Sequence, residues 1–309
     1  MKEGDMLTIR VPASSANLGP GFDSIGLALT LYLEVMAERS SSWEVIPETD
    51  ALEKFPADEK NYICLIASKV AAMYGREMPP CRLRVKTSIP LARGLGSSGA
   101  AIVAGVELAD KMCGLGLSLE EKLAACTKFE GHPDNVGASL YGGLVVGSQT
   151  DEEVQLTAMK QLAVEAVVLI PEEELLTEAS RGVLPSSMKY SAAVKSSAAA
   201  NQLLAAFFTE DWKLAGRMMS SDLFHQPYRK ELIPWWDDVE RLALHSGAFG
   251  MALSGAGPTL LCLAEPRKAN MLANVLKGAF PQLKVLHLAI DRTGLMTVEV
   301  KAEERNACK

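Results

Sequence analysis

The chain lacks any cysteine pair at metal-binding or redox spacing. Its six cysteines, Cys64, Cys81, Cys113, Cys126, Cys262 and Cys308, are scattered, with no C-x-x-C among them. That argues against a disulfide framework and a zinc site, and fits free thiols in a reducing compartment. A basic excess is lacking too. With 38 acidic and 31 basic residues the formal net charge is −7 and no basic block stands out, so neither a nucleic-acid nor a membrane partner is expected. No apolar run reaches the roughly 20 residues of a membrane span. The best candidate, LAVEAVVLI, is interrupted by Glu165 and reads as a buried strand. The opening MKEGDMLTIRVPAS is charged and has none of the apolar core of a secretory signal, so a cytoplasmic location is expected.

What is present is ordinary globular composition. At 48% hydrophobic and 22% charged over 309 residues, the chain holds ample core for two modest domains or one large one. No repeat or low-complexity tract is visible. Residues 7–13 (LTIRVPA) read as a strand ending in the turn-rich SSANLGPGFDS, and residues 25–37 as a long apolar strand. Residues 61–74 read as a helix, and 81–90 (CRLRVKTSIP) alternate like a half-buried strand. Residues 100–112 read as a helix stopping at Gly114. Ser118 with Glu121 forms a capping box for a helix to about Phe129. GGLVVGS is strand-like. The polar stretch 150–161 marks a boundary, giving expected domains of 1–155 and 156–309. Beyond it come a strand (163–170), helices over 195–208, 211–221 and 229–245, a strand-turn-strand over 251–263, a helix over 267–276 and two short strands. Strands and helices mixed without regular alternation point to an α+β fold.

The strongest local signal is PLARGLGSSGAA, residues 90–101, in which Gly94, Gly96 and Gly99 spell G-x-G-x-x-G. That string alone is shared by three nucleotide-binding designs. A dinucleotide fold needs a strand running straight into the first glycine and a second strand ending in an acid about 20 residues on; here four residues intervene and another helix follows. A Walker loop needs a lysine after the glycines, and a protein-kinase loop needs a V-A-I-K strand. None is present. A glycine-rich turn feeding a helix N-terminus, with two serines at the join, remains. Unpaired helix N–H groups and the dipole attract a phosphate, and hydroxyls can donate to it or ligate Mg²⁺.

Two companions accompany the loop: PASSANLGPGFDSIG (12–26), dense in small and polar residues, and SGAGPTLLCL (254–263), a tight turn between two strands. In order, spacing and helix context the three resemble the three motifs of the GHMP kinases, over nearly the whole chain. Within that family the first motif is similar to that of the members acting on homoserine. So are E-G-H-P-D-N-V (130–136), H-Q-P-Y-R (225–229) and T-E-A-S-R-G-V-L-P around Arg181, the last with serine where the family pattern has alanine. The resemblance implies a two-domain GHMP kinase fold, with an N-terminal domain similar to ribosomal protein S5 domain 2 and a ferredoxin-like C-terminal domain, and ATP between them. It implies that the backbone of Leu91, Ala92, Arg93, Gly94, Leu95, Gly96, Ser97, Ser98, Gly99, Ala100 and Ala101 holds the ATP phosphates. Ser98 and Glu130 would ligate Mg²⁺, and Asn17, Asp23, Asn135, Arg181 and Arg229 would hold L-homoserine. Ser98, Glu130 and Asn135 are then the catalytic set, and relatives suggest a homodimer.

The chemistry of those residue types agrees. A guanidinium pairs a carboxylate bidentately, and a carboxylate accepts an ammonium, so two arginines and one aspartate suit an amino acid better than mevalonate, which Asp23 would repel. Glu130 at a helix C-terminus faces the unfavourable end of the dipole, which favours a metal-binding role over a stabilising one. In-line phosphoryl transfer needs positioning and charge stabilisation, and no residue stands out as a base. Read singly, the arginines are surface charges, Asp23 caps a turn and Asn17 closes an Asx-turn. His132 is a packing or supporting group, His225 orients Arg229, and His245 and His287 are structural. Alternatives left open are a GHMP kinase acting on mevalonate or shikimate, and a ligand sensor of the same fold without catalysis.

Overall fold

The computed structural model describes residues 4–151 and 153–302; Cys308 lies outside them. Two sheets organise the chain. The first has seven strands: β1 (Met6–Asn17), β2 (Gly21–Arg39), β3 (Glu44–Pro47), β4 (Cys81–Thr87), β5 (Leu144–Gln149), β6 (Val154–Met159) and β11 (Met296–Val300). The second, ordered β10-β7-β9-β8, contains β7 (Glu165–Ile170), β8 (Gly250–Leu253), β9 (Leu260–Ala264) and β10 (Lys284–Leu288), antiparallel throughout. The helices are α1 (Tyr62–Met73), α2 (Ser97–Cys113), α3 (Leu119–Glu130), α4 (Pro133–Tyr141), α5 (Thr177–Gly182), α6 (Tyr190–Phe208), α7 (Trp212–Met219), α8 (Gln226–Arg229), α9 (Trp236–His245) and α10 (Pro266–Ala279). None is long and apolar enough to cross a membrane, among the described residues.

β4 alternates as its sequence requires, with Cys81, Leu83, Val85 and Thr87 inward and Arg82, Arg84 and Lys86 outward. β1 instead becomes wholly buried from Val11 to Asn17, because helices cover one face and the second sheet's turn meets its end. Besides β1, the long β2 pairs with two further strands: residues 33–39 pair with β4 and residues 25–27 with β5. Gly26 makes room there, since a Cβ would lie 2.1 Å from the Asp134 carbonyl, so the start of α4 can rest on β2. α3 carries the expected reciprocal capping box of Ser118 and Glu121, and α2 ends on left-handed Gly114. Behind the site, Lys122 bridges the buried Glu107 and Asp110 at 2.5 and 2.8 Å, and Glu107 also accepts the Thr297 hydroxyl of β11 at 2.8 Å.

Several expectations need correction. β1 continues through Ser14–Asn17 into what reads as turn, leaving only residues 18–20 to connect it to β2. The polar stretch 150–161 is not a linker: it contains β6, paired with β5, so a cut at 155/156 falls inside a strand, and β11 returns the chain's end to the first sheet. β6 exposes alternate residues as the last strand on its side of the sheet, so its polar half hides its strand pattern. The single helix expected over 229–245 is three pieces, α8, a 3₁₀ turn at Lys230–Leu232 and α9, because Pro234 cannot continue a helix. α4 is an unexpected helix, begun by Pro133 at its first turn.

Candidate active site

Three turns meet at one point. Ser254 donates from Oγ to the Gly94 carbonyl at 2.6 Å and lies 2.8 Å from the Ser15 hydroxyl. The Gly255 N–H reaches the Ala16 carbonyl at 3.1 Å, and the Ser14 N–H reaches the Leu95 carbonyl at 3.2 Å. This closeness explains the glycines of the loop. Gly94 and Gly96 have φ of +75° and +69°, and a Cβ on either would lie 2.1 Å from Ser254 O or Ser14 Oγ. Gly96 is the N-cap of α2 and offers no side chain to it, unlike the self-capped α3. The first N–H groups of α2 therefore remain free to take an anion.

The loop opens into a cavity of about 630 Å³ shared by both halves of the chain. Its far end is apolar, lined by Val45, Pro47, Leu52, Phe55, Tyr62 and Val85, a setting for a flat base. Asn61 also lines the cavity; its side chain accepts from the Ile63 N–H at the start of α1 and donates to the Pro56 carbonyl at 2.9 Å. Arg93 does not point a charge at the loop's anion subsite. Its guanidinium donates to the carbonyls of Leu91 at 2.6 Å, Pro171 at 2.9 Å and Glu172, bracing the loop against the segment that leads to α5. Lys54 pairs with Glu174 of that same segment at 3.2 Å. At the loop itself the positive potential comes from the oriented N–H groups of α2.

At the other end of the cavity lie Asp23, Arg181 and Arg229, brought together over Phe22. Arg181, on α5, donates to both carboxylate oxygens of Asp23 at 2.8 and 3.3 Å. Arg229 is 2% exposed and spends Nε on the Ser180 carbonyl at 3.1 Å and Nη1 on the Gly255 carbonyl at 3.2 Å. Burial, with the neighbouring Arg181 charge, pulls its pKa down to about 10, so it remains a cation at neutral pH. Asn17 and Asp23 hold positive φ, +78° and +54°, a conformation these residue types tolerate best after glycine. Asn17 acts as scaffold within the cavity wall: its Nδ2 donates to Gly255 O at 3.1 Å, and its Oδ1 accepts the Asp23 N–H at 3.0 Å.

Ser98, Glu130 and Asn135 line the same cavity. Asn135 accepts the Ser14 hydroxyl on Oδ1 at 2.9 Å, which leaves Nδ2 as a donor. Glu130 closes α3 as expected; burial raises its pKa, with His132 and Arg181 opposing and Asp134 adding to the rise. Ser98 at the start of α2 and Glu130 both act on the Tyr62 hydroxyl: burial raises its pKa, Ser98 lowers it and the Glu130 charge raises it. A hydroxyl and a carboxylate are hard oxygen donors, which fit Mg²⁺. Sequence reading missed Asp134. Its Oδ1 takes His132 Nδ1 at 2.6 Å and the Asn135 N–H at 2.7 Å, while its Oδ2 is buried without a hydrogen-bond partner. Burial lowers the His132 pKa, but the bond to Asp134 outweighs it and the net shift is upward. One oxygen or nitrogen each of Asp23, His132 and Asp134 falls within a 4.8 Å cluster. The signal was the acid directly before Asn135. Of the remaining histidines, His287 pairs with Glu165 at 2.5 Å on the second sheet, away from the cavity.

Comparison with known proteins identifies the family. The model of the GHMP kinases N terminal domain matches residues 61–143, and that of the GHMP kinases C terminal matches residues 203–282. The homoserine kinase of Bacillus licheniformis is 48% identical over 297 residues, covering 96% of this chain and 97% of that one. The homoserine kinase of Bacillus velezensis is 46% identical over 295 residues, covering 95% and 96%. The crystal structure of homoserine kinase from Cytophaga hutchinsonii superposes with a TM-score of 0.85 at 28% identity, covering 96% of this chain and 98% of that one.

Proposed function

The chain belongs to the GHMP kinase family, and from that premise we propose its reaction. It transfers the γ-phosphoryl group of ATP to the γ-hydroxyl of L-homoserine, giving O-phospho-L-homoserine, with Mg²⁺ as the metal. The single observation that carries the acceptor is the meeting of Asp23, Arg181 and Arg229 in the cavity that also receives the N-terminus of α2. One anion and two cations are the complement of an amino acid's ammonium and carboxylate.

In this reading the free N–H groups of residues 97–99, with the rest of the loop's backbone over 91–101, hold the triphosphate. Ser98 and Glu130 hold Mg²⁺, which screens phosphate charge when bound. Asp23 takes the acceptor ammonium, and Arg229 with Arg181 takes its carboxylate. Asn17 sets the backbone of Asp23, and Asn135 donates near the acceptor hydroxyl. Transfer is in line and needs no dedicated protein base, since positioning and charge stabilisation carry most of phosphoryl-transfer catalysis. Asp134 fits a supporting role, because its Oδ1 is already committed to His132 and to the start of α4. The same reading has the protein act in the cytoplasm as a homodimer, with no nucleic-acid or membrane partner. An ADP-release assay across L-homoserine, mevalonate and shikimate tests the acceptor. Turnover with L-homoserine alone is expected; preferred turnover of either other acceptor contradicts it, and ATP binding without turnover of any acceptor would mark a sensor.

A further inference from the structure

His225 is wholly buried, yet it spends both ring nitrogens on specific partners. Nε2 lies 2.9 Å from the Gly19 carbonyl, which can only accept, so Nε2 carries the proton. Nδ1 lies 3.3 Å from Nη1 of Arg229, which can only donate. The neutral ring therefore presents a lone pair to the guanidinium, and a protonated ring would set two donors against each other. Burial and the Arg229 charge together hold the imidazole neutral, pushing its pKa down to about 4 against the opposing charge of Asp222.

The surrounding chain is built to fix this contact. Asp222 accepts the backbone N–H groups of Phe224, His225 and Gln226 at 2.7, 3.1 and 2.7 Å, closing the turn that starts α8. His225 and Arg229 then stand four residues apart on one helical face. Phe22 stacks on the imidazole at 5.2 Å between ring centres and lies 5.3 Å from the guanidinium carbon. The ring thus ties the turn at residues 18–20, which leads into Asp23, to the cation at the opposite side of the acceptor pocket. A histidine present only to fill space would need neither an acceptor atom aimed at Arg229 nor a donor aimed at Gly19.

We propose that His225 is a positioning residue for the acceptor: its Nδ1 holds Arg229 in the orientation that receives the acceptor carboxylate, while its Nε2 fixes Arg229 relative to the Asp23 turn. This rests on the reading that Arg229 binds that carboxylate. The contact acts on acceptor binding and leaves the nucleotide end of the cavity untouched.

The test measures KM for L-homoserine and for ATP, and kcat, in His225→Phe, His225→Asn, His225→Gln, Arg229→Lys and the His225→Phe/Arg229→Lys double variant. His225→Phe should raise the homoserine KM about tenfold or more, the scale of a lost hydrogen bond to a charged group, with the ATP KM unchanged. His225→Asn places an amide oxygen near the Nδ1 position and should recover more of the homoserine KM than His225→Gln, whose amide reaches the Nε2 position. The double variant should be little worse than Arg229→Lys alone. Equal effects on both substrates, equal KM values for His225→Asn and His225→Gln, or additivity with Arg229→Lys would overturn the proposal. An unchanged homoserine KM in Arg229→Lys would instead overturn the carboxylate assignment on which it rests. Should His225→Phe fail to fold, the comparison of His225→Asn with His225→Gln decides.

Discussion

Replacing Asp23 by asparagine separates charge from shape at the acceptor pocket. Asparagine tolerates the positive φ of +54° at this position, and the hydrogen bond from the residue-23 N–H to Asn17 Oδ1 is a backbone donation that survives the change. What disappears is the negative charge. In the free protein that charge pairs with Arg181, but the two side chains are 34% and 40% exposed, so the pair is worth at most about 1 kcal/mol. A zwitterionic acceptor exchanges this contact for two, ammonium to Asp23 and carboxylate to Arg181. A hydrogen bond to a charged group contributes about 1.5–3 kcal/mol, so Asp23→Asn should lower kcat/KM for L-homoserine by roughly 10- to 150-fold. The ATP KM should hold, since the phosphate loop does not touch this side chain. An acceptor lacking the ammonium, 4-hydroxybutanoate, leaves Asp23 facing a carboxylate in the parent protein; the variant should narrow the preference for homoserine over it. A coupled ADP-release assay with homoserine, 4-hydroxybutanoate and Mg-ATP varied in turn reads all three quantities. An unchanged homoserine KM in Asp23→Asn, or an undiminished preference over 4-hydroxybutanoate, would refute the reasoning.

Gly94→Ala should lose several kcal/mol of stability in urea titrations, because left-handed φ costs about 1–2 kcal/mol and the added Cβ strikes the Ser254 carbonyl. Lys122→Met should cost about 3–5 kcal/mol, since Asp110 would be left buried without its cation and Glu107 with Lys111 at 3.9 Å; a loss under about 1 kcal/mol would contradict the packing. The contribution of His225 to folding stability should be lost as pH drops from about 6.5 toward 4, because the unfolded chain protonates it while the native one, with a pKa of about 4, does not. That contribution is about 3 kcal/mol, and thermal melts of His225→Asn should show a flatter decline across the same window. Asp134→Asn should cost less than the roughly 10²–10⁴-fold of a missing general base; a pH–rate profile whose acidic limb vanishes in this variant would make Asp134 the base.

The elements that could be read from sequence are those whose pattern is local. β4 alternates because one face meets the core, α3 announces itself by a capping box, and α2 by a glycine loop and a terminal glycine. Where two meanings share one residue type, reading failed. Pro133 starts α4 but elsewhere breaks helices, as Pro234 does before α9. The glycine loop proposed to hold phosphate was legible as a loop because its geometry lies in the backbone, which glycines report directly. The acceptor end was legible only as residue types. That Asp23 already grips Arg181, 158 residues away, follows from how the two halves of the chain meet and from no local pattern. The same holds for the tautomer of His225, set by a carbonyl 206 residues distant, and for the committed Oδ1 and unpaired Oδ2 of Asp134.

The central claim is direct transfer of phosphate to homoserine within one cavity, and ³¹P NMR of the protein with Mg-ATP and L-homoserine tests it most directly. The account predicts a phosphomonoester signal split by the terminal methylene of the acceptor, growing in step with ADP and absent when either homoserine or Mg²⁺ is withheld. Inorganic phosphate as the sole new signal, or unchanged ATP in the presence of homoserine, would contradict it.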